Sequence, residues 1–183
     1  MKQSTLWITS LLLLFAQALP CSAAQPVFSD PVSPSEIRKA YYEFSPIAIV
    51  RALQTGDEKN WDYILSRIEQ GDPDWIITAM VYIASGTDAG STTDLKIAPA
   101  LALKSNPLMV LSHAASGISL KDVCSAPFIE AESQMLLEYG KQAMAALEGV
   151  TEDYVSMEKR ICVMVLRDTI DRVKHSKKAT KKP

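Results

Sequence analysis

The sequence predicts an all-α fold, either an irregular bundle or a short α-α superhelix of about seven or eight helices. Four times, a residue with a capping side chain stands directly before a proline, which is typical of a helix start. Apolar residues then recur at spacings of three and four, as a buried helix face requires. Strand signals are nearly absent, because no Asn-Gly or Asp-Gly turn separates alternating apolar runs. The four pairs are Ser33-Pro34, Ser45-Pro46, Asp72-Pro73 and Asn106-Pro107.

Other local signals fix the ends of the predicted helices. Glu36 stands three residues after Ser33 and completes a capping box. Gly56 and Gly71 stand where left-handed C-terminal caps are expected. Pro99 interrupts one apolar pattern, and we expect it to kink that helix or end it early. The predicted helices span residues 34–44, 46–54, 58–70, 73–85, 92–104, 107–115, 130–148 and 152–174.

Two stretches without clear periodicity, 86–91 and 117–129, are predicted loops. The first is small and polar, and it is a candidate surface for contact with a partner. It lacks the Gly-Lys-Ser/Thr ending of a phosphate loop and the regularly spaced acids of a calcium loop. A turn followed by a helix N-cap is the structural alternative. The candidate residues are Thr87, Asp88, Ser91 and Asp94.

The two ends of the chain predict export and four segments. Residues 1–24 resemble a cleavable secretory signal, with a basic start, a short apolar run and small residues before Gln25. An uncleaved anchor and lipidation of Cys21 are the alternatives. The predicted compartment is the periplasm, with secretion as the runner-up, and the mature chain holds no stretch that could span a membrane. The other segments are a Pro-rich lead-in at 25–33, one helical domain at 34–174, and a basic disordered tail at 175–183.

Charge is unevenly distributed along the chain. Residues 25–173 contain all 21 acidic residues and 13 of the 19 basic ones, a formal charge of −8. Five lysines fall in the last ten residues, which favours either a solvated helix end or a tether to an anionic surface. The acidic body argues against nucleic acid as a partner. We therefore expect another protein, with basic residues, as the partner.

Cys124 and Cys162 remain after removal of the signal, and we predict that they form a disulfide. An even number of cysteines in an exported protein is commonly used in this way. Closing the loop between them would stabilise the fold by roughly 3–4 kcal/mol in the loop-entropy model. Two buried thiols are the alternative. No histidine lies near either cysteine at ligand spacing, so we predict no metal site and no cofactor.

Few residues offer catalytic chemistry. His113 could act as a general base, although a packed or capping histidine suits so apolar a helix. Glu132 followed by Ser133 resembles the catalytic Glu-Ser pair of lytic transglycosylases, and Glu130 lies beside it. That resemblance covers two residues, and the downstream Gly-Leu-Met-Gln-like and Ala-Tyr-Asn-like segments of those enzymes are missing. Acids in the first turn of a helix also stabilise its positive end.

These observations favour a small exported binding protein without enzymatic activity. One specific form is an immunity or inhibitor protein that acts against a toxin or hydrolase of the cell envelope. The alternative is a cell-wall-active enzyme that uses Glu130, Glu132 or His113 as its acid-base group. A structural or stress protein of the envelope is a third class.

Overall fold

A computed structural model describes residues 24–56, 58–114, 116–125 and 133–179. Within those ranges the regular structure is entirely helical and no strand occurs, which confirms the predicted all-α bundle. The predicted signal, residues 1–24, lies outside this part except for its last residue. The nine described α-helices are α1 (Pro34–Ala40), α2 (Pro46–Leu53), α3 (Lys59–Glu69), α4 (Pro73–Thr78), α5 (Ala89–Ala102), α6 (Pro107–His113), α7 (Leu120–Val123), α8 (Ser133–Glu148) and α9 (Ser156–Ala179).

All four predicted cap-proline pairs begin helices. In each pair the side-chain oxygen of the capping residue accepts a hydrogen bond from a backbone N–H in the first turn. The predicted capping box is also present, since the Glu36 carboxylate accepts the backbone N–H of Ser33 at 2.8 Å. Gly56 and Gly71 have φ values of +83° and +85°, so both adopt the predicted left-handed conformation. Local capping chemistry therefore sets most helix boundaries.

The structure corrects several predicted boundaries. The predicted helix 73–85 consists of α4, a π-helical turn at Ala79–Ile83 and a 3-10 turn at Ala84–Gly86. The predicted loop 117–129 contains the short helix α7, which begins after Ser119 because the Ser119 hydroxyl accepts the N–H of Asp122. Helix α9 continues to Ala179, five residues beyond the predicted helix end, because no glycine or proline occurs between Lys174 and Ala179.

Helix α5 passes through Pro99. It continues for three residues after the proline and ends at Ala102, two residues before the predicted end. Next to the proline, the carbonyl oxygen of Ala100 accepts the hydroxyl hydrogen of the buried Tyr139 at 2.7 Å. It also accepts the backbone N–H of Leu103, which tightens the last turn. A side chain of α8 thus provides a donor to one of the last carbonyl groups of α5, which lack partners within the helix.

Helix α6 lies at the centre of the packing. It contacts α4 and α5 on the N-terminal side of the chain and α8 and α9 on the C-terminal side. Around it, α3 packs on α5, α1 packs on α4, and α8 packs on α9. The core is aliphatic with two tryptophans, and its largest side chains are almost fully buried. They include Ile37, Leu53, Trp61, Ile68, Trp75, Met80, Leu95 and Leu111.

A disulfide joins Cys124, at the end of α7, to Cys162 in α9, as predicted. Their Cα atoms are 5.0 Å apart, inside the range that a disulfide requires. Both cysteines are fully buried. Among the described residues, none of the helices combines the length and apolar composition needed to cross a bilayer.

Candidate interaction surface

The residues of the predicted contact loop are used mainly to start α5. Asp88 is the N-cap, and its carboxylate accepts the backbone N–H of Ser91 at 3.0 Å and the Ser91 hydroxyl at 2.7 Å. These hydrogen bonds lower the pKa of Asp88. The Thr87 and Thr92 hydroxyls are paired at 2.7 Å. The helix therefore begins at Ala89, three residues before the predicted start, because Asp88 and Ser91 form a second capping box.

Asp94, the last residue of the predicted contact surface, is paired with the core. One of its carboxylate oxygens accepts the indole N–H of Trp61 at 3.1 Å. Trp61 is almost completely buried in α3, so this bond satisfies its one polar atom and ties α3 to α5. Thr87 and Asp94 thus have internal partners, and Ser91 is buried. Asp88 keeps an exposed side.

A shallow groove of about 220 Å³ lies beside Asp88. The other side of the groove is α2, which contributes Ile47 and Arg51. Gly86 forms its base, and a Cβ there would overlap the backbone of Pro46. The predicted contact loop and one side of α2 therefore form one continuous surface.

The residues proposed for catalysis do not form a described site. Glu130 and Glu132 lie outside the described residues. His113 is half-buried in the last turn of α6, and its Nδ1 atom lies 3.0 Å from the carbonyl oxygen of Met109. This bond within the helix agrees with a packed or capping histidine. In the part of the chain that the structure describes, no group of three potential metal ligands occurs.

Three tyrosines form a cluster where α1 ends, of which Tyr41 and Tyr42 are exposed and Tyr82 is partly buried against the core. The ring of Tyr41 contacts the ring of Tyr42 at a centroid distance of 6.2 Å and that of Tyr82 at 5.1 Å, both edge to face. Tyr42 is 81% exposed. A partner that covered such a side chain would bury up to about 150–250 Å² of its surface. We call Tyr41, Tyr42 and Tyr82 the tyrosine cluster. Aromatic side chains are enriched in protein interfaces, and tyrosine often carries much of their binding energy.

The π-helical turn and α1 position the tyrosine cluster. Tyr82 lies in the π-helical turn, which is closed by a bond from the N–H of Ala84 to the carbonyl of Ala79. Beside it, the guanidinium of Arg38 donates to the hydroxyl of the buried Thr78 at 3.2 Å and anchors α1 to α4. Single π-helical turns inside α-helices are frequent at functional sites.

Acidic side chains are exposed elsewhere on the bundle. Asp62 and Glu69 lie on α3, and Asp74 lies in the first turn of α4. Within the described ranges none of these three carboxylates forms an ion pair. The negative charge of the body is therefore available at its surface to act on an approaching cation.

The chain matches no protein-family model, no curated protein and no solved structure. The candidate interaction surface is therefore inferred from the residues of this chain alone. Sequence reasoning identified the loop around Asp88 but not the tyrosine cluster. The signal that the sequence offered was the adjacent aromatic pair Tyr41-Tyr42.

Proposed function

We propose that this chain is an exported binding protein that recognises another protein through the tyrosine cluster. The observation that carries the proposal is the exposure of Tyr42 beside Tyr41 and Tyr82. Three edge-to-face rings in contact form a pre-ordered apolar surface with polar hydroxyl groups. Such a surface gives a partner a large contact area at little cost in side-chain entropy.

The partner in this proposal carries basic residues. The body of the protein has a formal charge of −8, and exposed carboxylates of α3 and α4 contribute to it. Such a field accelerates encounter with a cationic protein, whereas the contact energy comes from the aromatic side chains. An arginine of the partner over a tyrosine ring would add a cation–π interaction.

Site-specific photocrosslinking tests the proposed surface. A photoreactive phenylalanine analogue replaces Tyr42 in the exported protein, and a control replaces Ser66, an exposed residue of α3. We expect one discrete crosslinked protein from position 42 and none from position 66. Equal crosslinking from both positions, or from neither, would reject the tyrosine cluster as the binding surface.

The specific form of this proposal is an immunity or inhibitor protein against an envelope-acting toxin or hydrolase. Envelope extract is incubated with cell-wall sacculi in the presence of the purified protein. An inhibitor reduces the release of soluble muropeptides, and Tyr42→Ala abolishes the reduction. Release of muropeptides by the purified protein alone, lost in Glu132→Gln, would instead establish the enzyme alternative.

A further inference from the structure

A second surface lies at the opposite end of the chain, between α8 and the C-terminal half of α9. The two helices approach closely at Gly140, where a Cβ would come within 2.8 Å of the Ile170 side chain. Beside this contact is an open groove of about 500 Å³. The groove is lined by Leu137, Lys141, Met144, Ala145, Glu148, Ile170 and Lys174.

The groove has an apolar floor and a basic rim. On α8 its lining residues recur at spacings of three and four, so they share one face of the helix. Leu137, Met144 and Ile170 are each only partly buried, which leaves apolar surface open in the groove. Lys141 and Lys174, from the two helices, contribute the positive charge.

These lysines are poorly neutralised. Among the described residues no carboxylate lies within ion-pair distance of Lys141, and Lys174 has only a 3.9 Å contact with Asp171. The sequence then continues with Lys177, Lys178, Lys181 and Lys182. Two acids, Glu148 and Asp171, belong to the same surface. The C-terminal end of the protein is therefore locally basic on an otherwise acidic chain.

We propose that this groove docks on an anionic phospholipid bilayer. Lys141 and Lys174 contact lipid phosphates, and the apolar floor receives the upper part of the acyl region. An apolar groove with a cationic rim complements an amphiphile whose charged group is negative. Nucleic acid and acidic polysaccharide fit less well, because they offer the lysines charge but offer the apolar floor nothing.

The acidic body does not prevent such docking. The Debye length is about 8 Å at physiological ionic strength, so charges on remote helices are screened from the bilayer. The groove lies on α8 and α9, whereas exposed acids such as Asp62 and Asp74 lie on α3 and α4. The proposal concerns a different surface from the tyrosine cluster, so it stands or fails independently of the proposed function.

Vesicle co-sedimentation tests the proposal with the protein purified in its exported form. The vesicles contain either pure phosphatidylcholine or phosphatidylcholine with about one third phosphatidylglycerol. We expect binding to the anionic vesicles alone, decreasing with added salt. Each lysine held near an anionic surface strengthens binding about fivefold, so Lys141→Gln with Lys174→Gln should weaken it about 25-fold.

Two matched controls separate the groove from net charge. Lys39→Gln with Lys121→Gln removes the same charge from exposed positions outside the groove and should leave binding within about threefold. Ala145→Glu places a carboxylate in the groove at an exposed helical position and should abolish most binding. The control Gln142→Glu adds the same charge outside the groove lining and should not.

Five results would overturn the proposal. The first is equal binding to neutral and anionic vesicles, and the second is no binding to anionic vesicles at about 0.1 M salt. The third is equal loss in the two double-lysine variants, which would show an effect of net charge alone. The fourth is binding that is lost on deletion of residues 176–183 but unchanged by the groove substitutions. That result would assign the binding to the tail. The fifth is capture of an acidic peptide by the groove in competition with vesicles, which would assign the site to a protein.

Discussion

The hydroxyl of Tyr139 donates a 2.7 Å hydrogen bond to the carbonyl oxygen of Ala100, the residue directly after Pro99. The bond joins α8 to the end of α5 in the buried core. Burial also raises the pKa of Tyr139 above its ordinary value, so the hydroxyl keeps its proton and remains a donor. The bond also satisfies a carbonyl at the C-terminal end of α5, where the helix itself offers few donors.

Tyr139→Phe should lower the free energy of unfolding by about 1 kcal/mol, because it removes one buried hydrogen bond and keeps the ring. For a protein of this size the melting temperature should fall by about 2–4 °C. Tyr63→Phe is the control, since in the described structure the Tyr63 ring contacts Trp75 but its hydroxyl has no hydrogen bond. Equal losses in both variants would contradict the assigned role of Tyr139.

Cys162→Ser should lower the melting temperature strongly under oxidising conditions and little under reducing ones. The disulfide restricts the unfolded chain, and the loop-entropy model assigns about 3–4 kcal/mol to a loop of this length. Thermal unfolding with and without reductant measures the difference. A wild-type protein whose melting temperature did not change on reduction would show that the bond contributes no stability.

Gly86→Ala should destabilise the fold by about 1–3 kcal/mol, because the added Cβ would overlap the carbonyl of Pro46 at the start of α2. Gly90→Ala is the matched control. Its Cβ would meet its nearest neighbour, the Asp88 carboxylate, at 3.7 Å, and alanine favours the helix there by up to about 1 kcal/mol. Urea unfolding should therefore show opposite signs, and the same sign for both would contradict the close packing at Gly86.

Protonation of Glu36 should lower the free energy of unfolding in acid. Hydrogen bonds from Ser33 and Ser29 lower its pKa from 4.5 to about 2. A carboxylate with a lowered folded-state pKa stabilises the fold fully above the unfolded value, and this contribution is lost as pH falls from about 4.5 to 2. In Glu36→Gln the stability should change less steeply over that range. Denaturant unfolding at a series of pH values measures the slope, and identical slopes would show that Glu36 does not carry the effect.

The sequence predicted the fold well where the signals were local. Cap-proline pairs and left-handed glycines depend on hydrogen bonds within about four residues. The capping roles of Ser45, Asp72 and Gly71 could therefore be predicted without knowledge of the packing. The disulfide was predicted by counting the cysteines that remain after the predicted signal. The sequence did not predict helix α7, because four residues show too little periodicity, although Ser119 is a suitable N-cap residue.

The candidate surface was less predictable, because it depends on contacts distant in sequence. Tyr82 lies 41 positions after Tyr41, and only the packing of α1 beside the π-helical turn brings the rings together. The π-helical turn itself carries no composition signal. Asp94, in contrast, was predicted to be available, but Trp61, distant in sequence, has an indole N–H that needs a buried acceptor.

The disulfide between the end of α7 and α9 keeps the protein covalently joined after a single cleavage of the backbone between its two cysteines. Any single backbone cleavage between Cys124 and Cys162 leaves two fragments that the disulfide still joins, and α8 lies wholly inside this loop. A protein cut there by a protease should migrate as one species without reductant and as two with it in denaturing electrophoresis. Cleavage before Cys124 or after Cys162 instead leaves two fragments that no covalent bond joins. The covalent loop therefore allows the protein to keep both parts of its bundle together after one proteolytic cleavage within the loop.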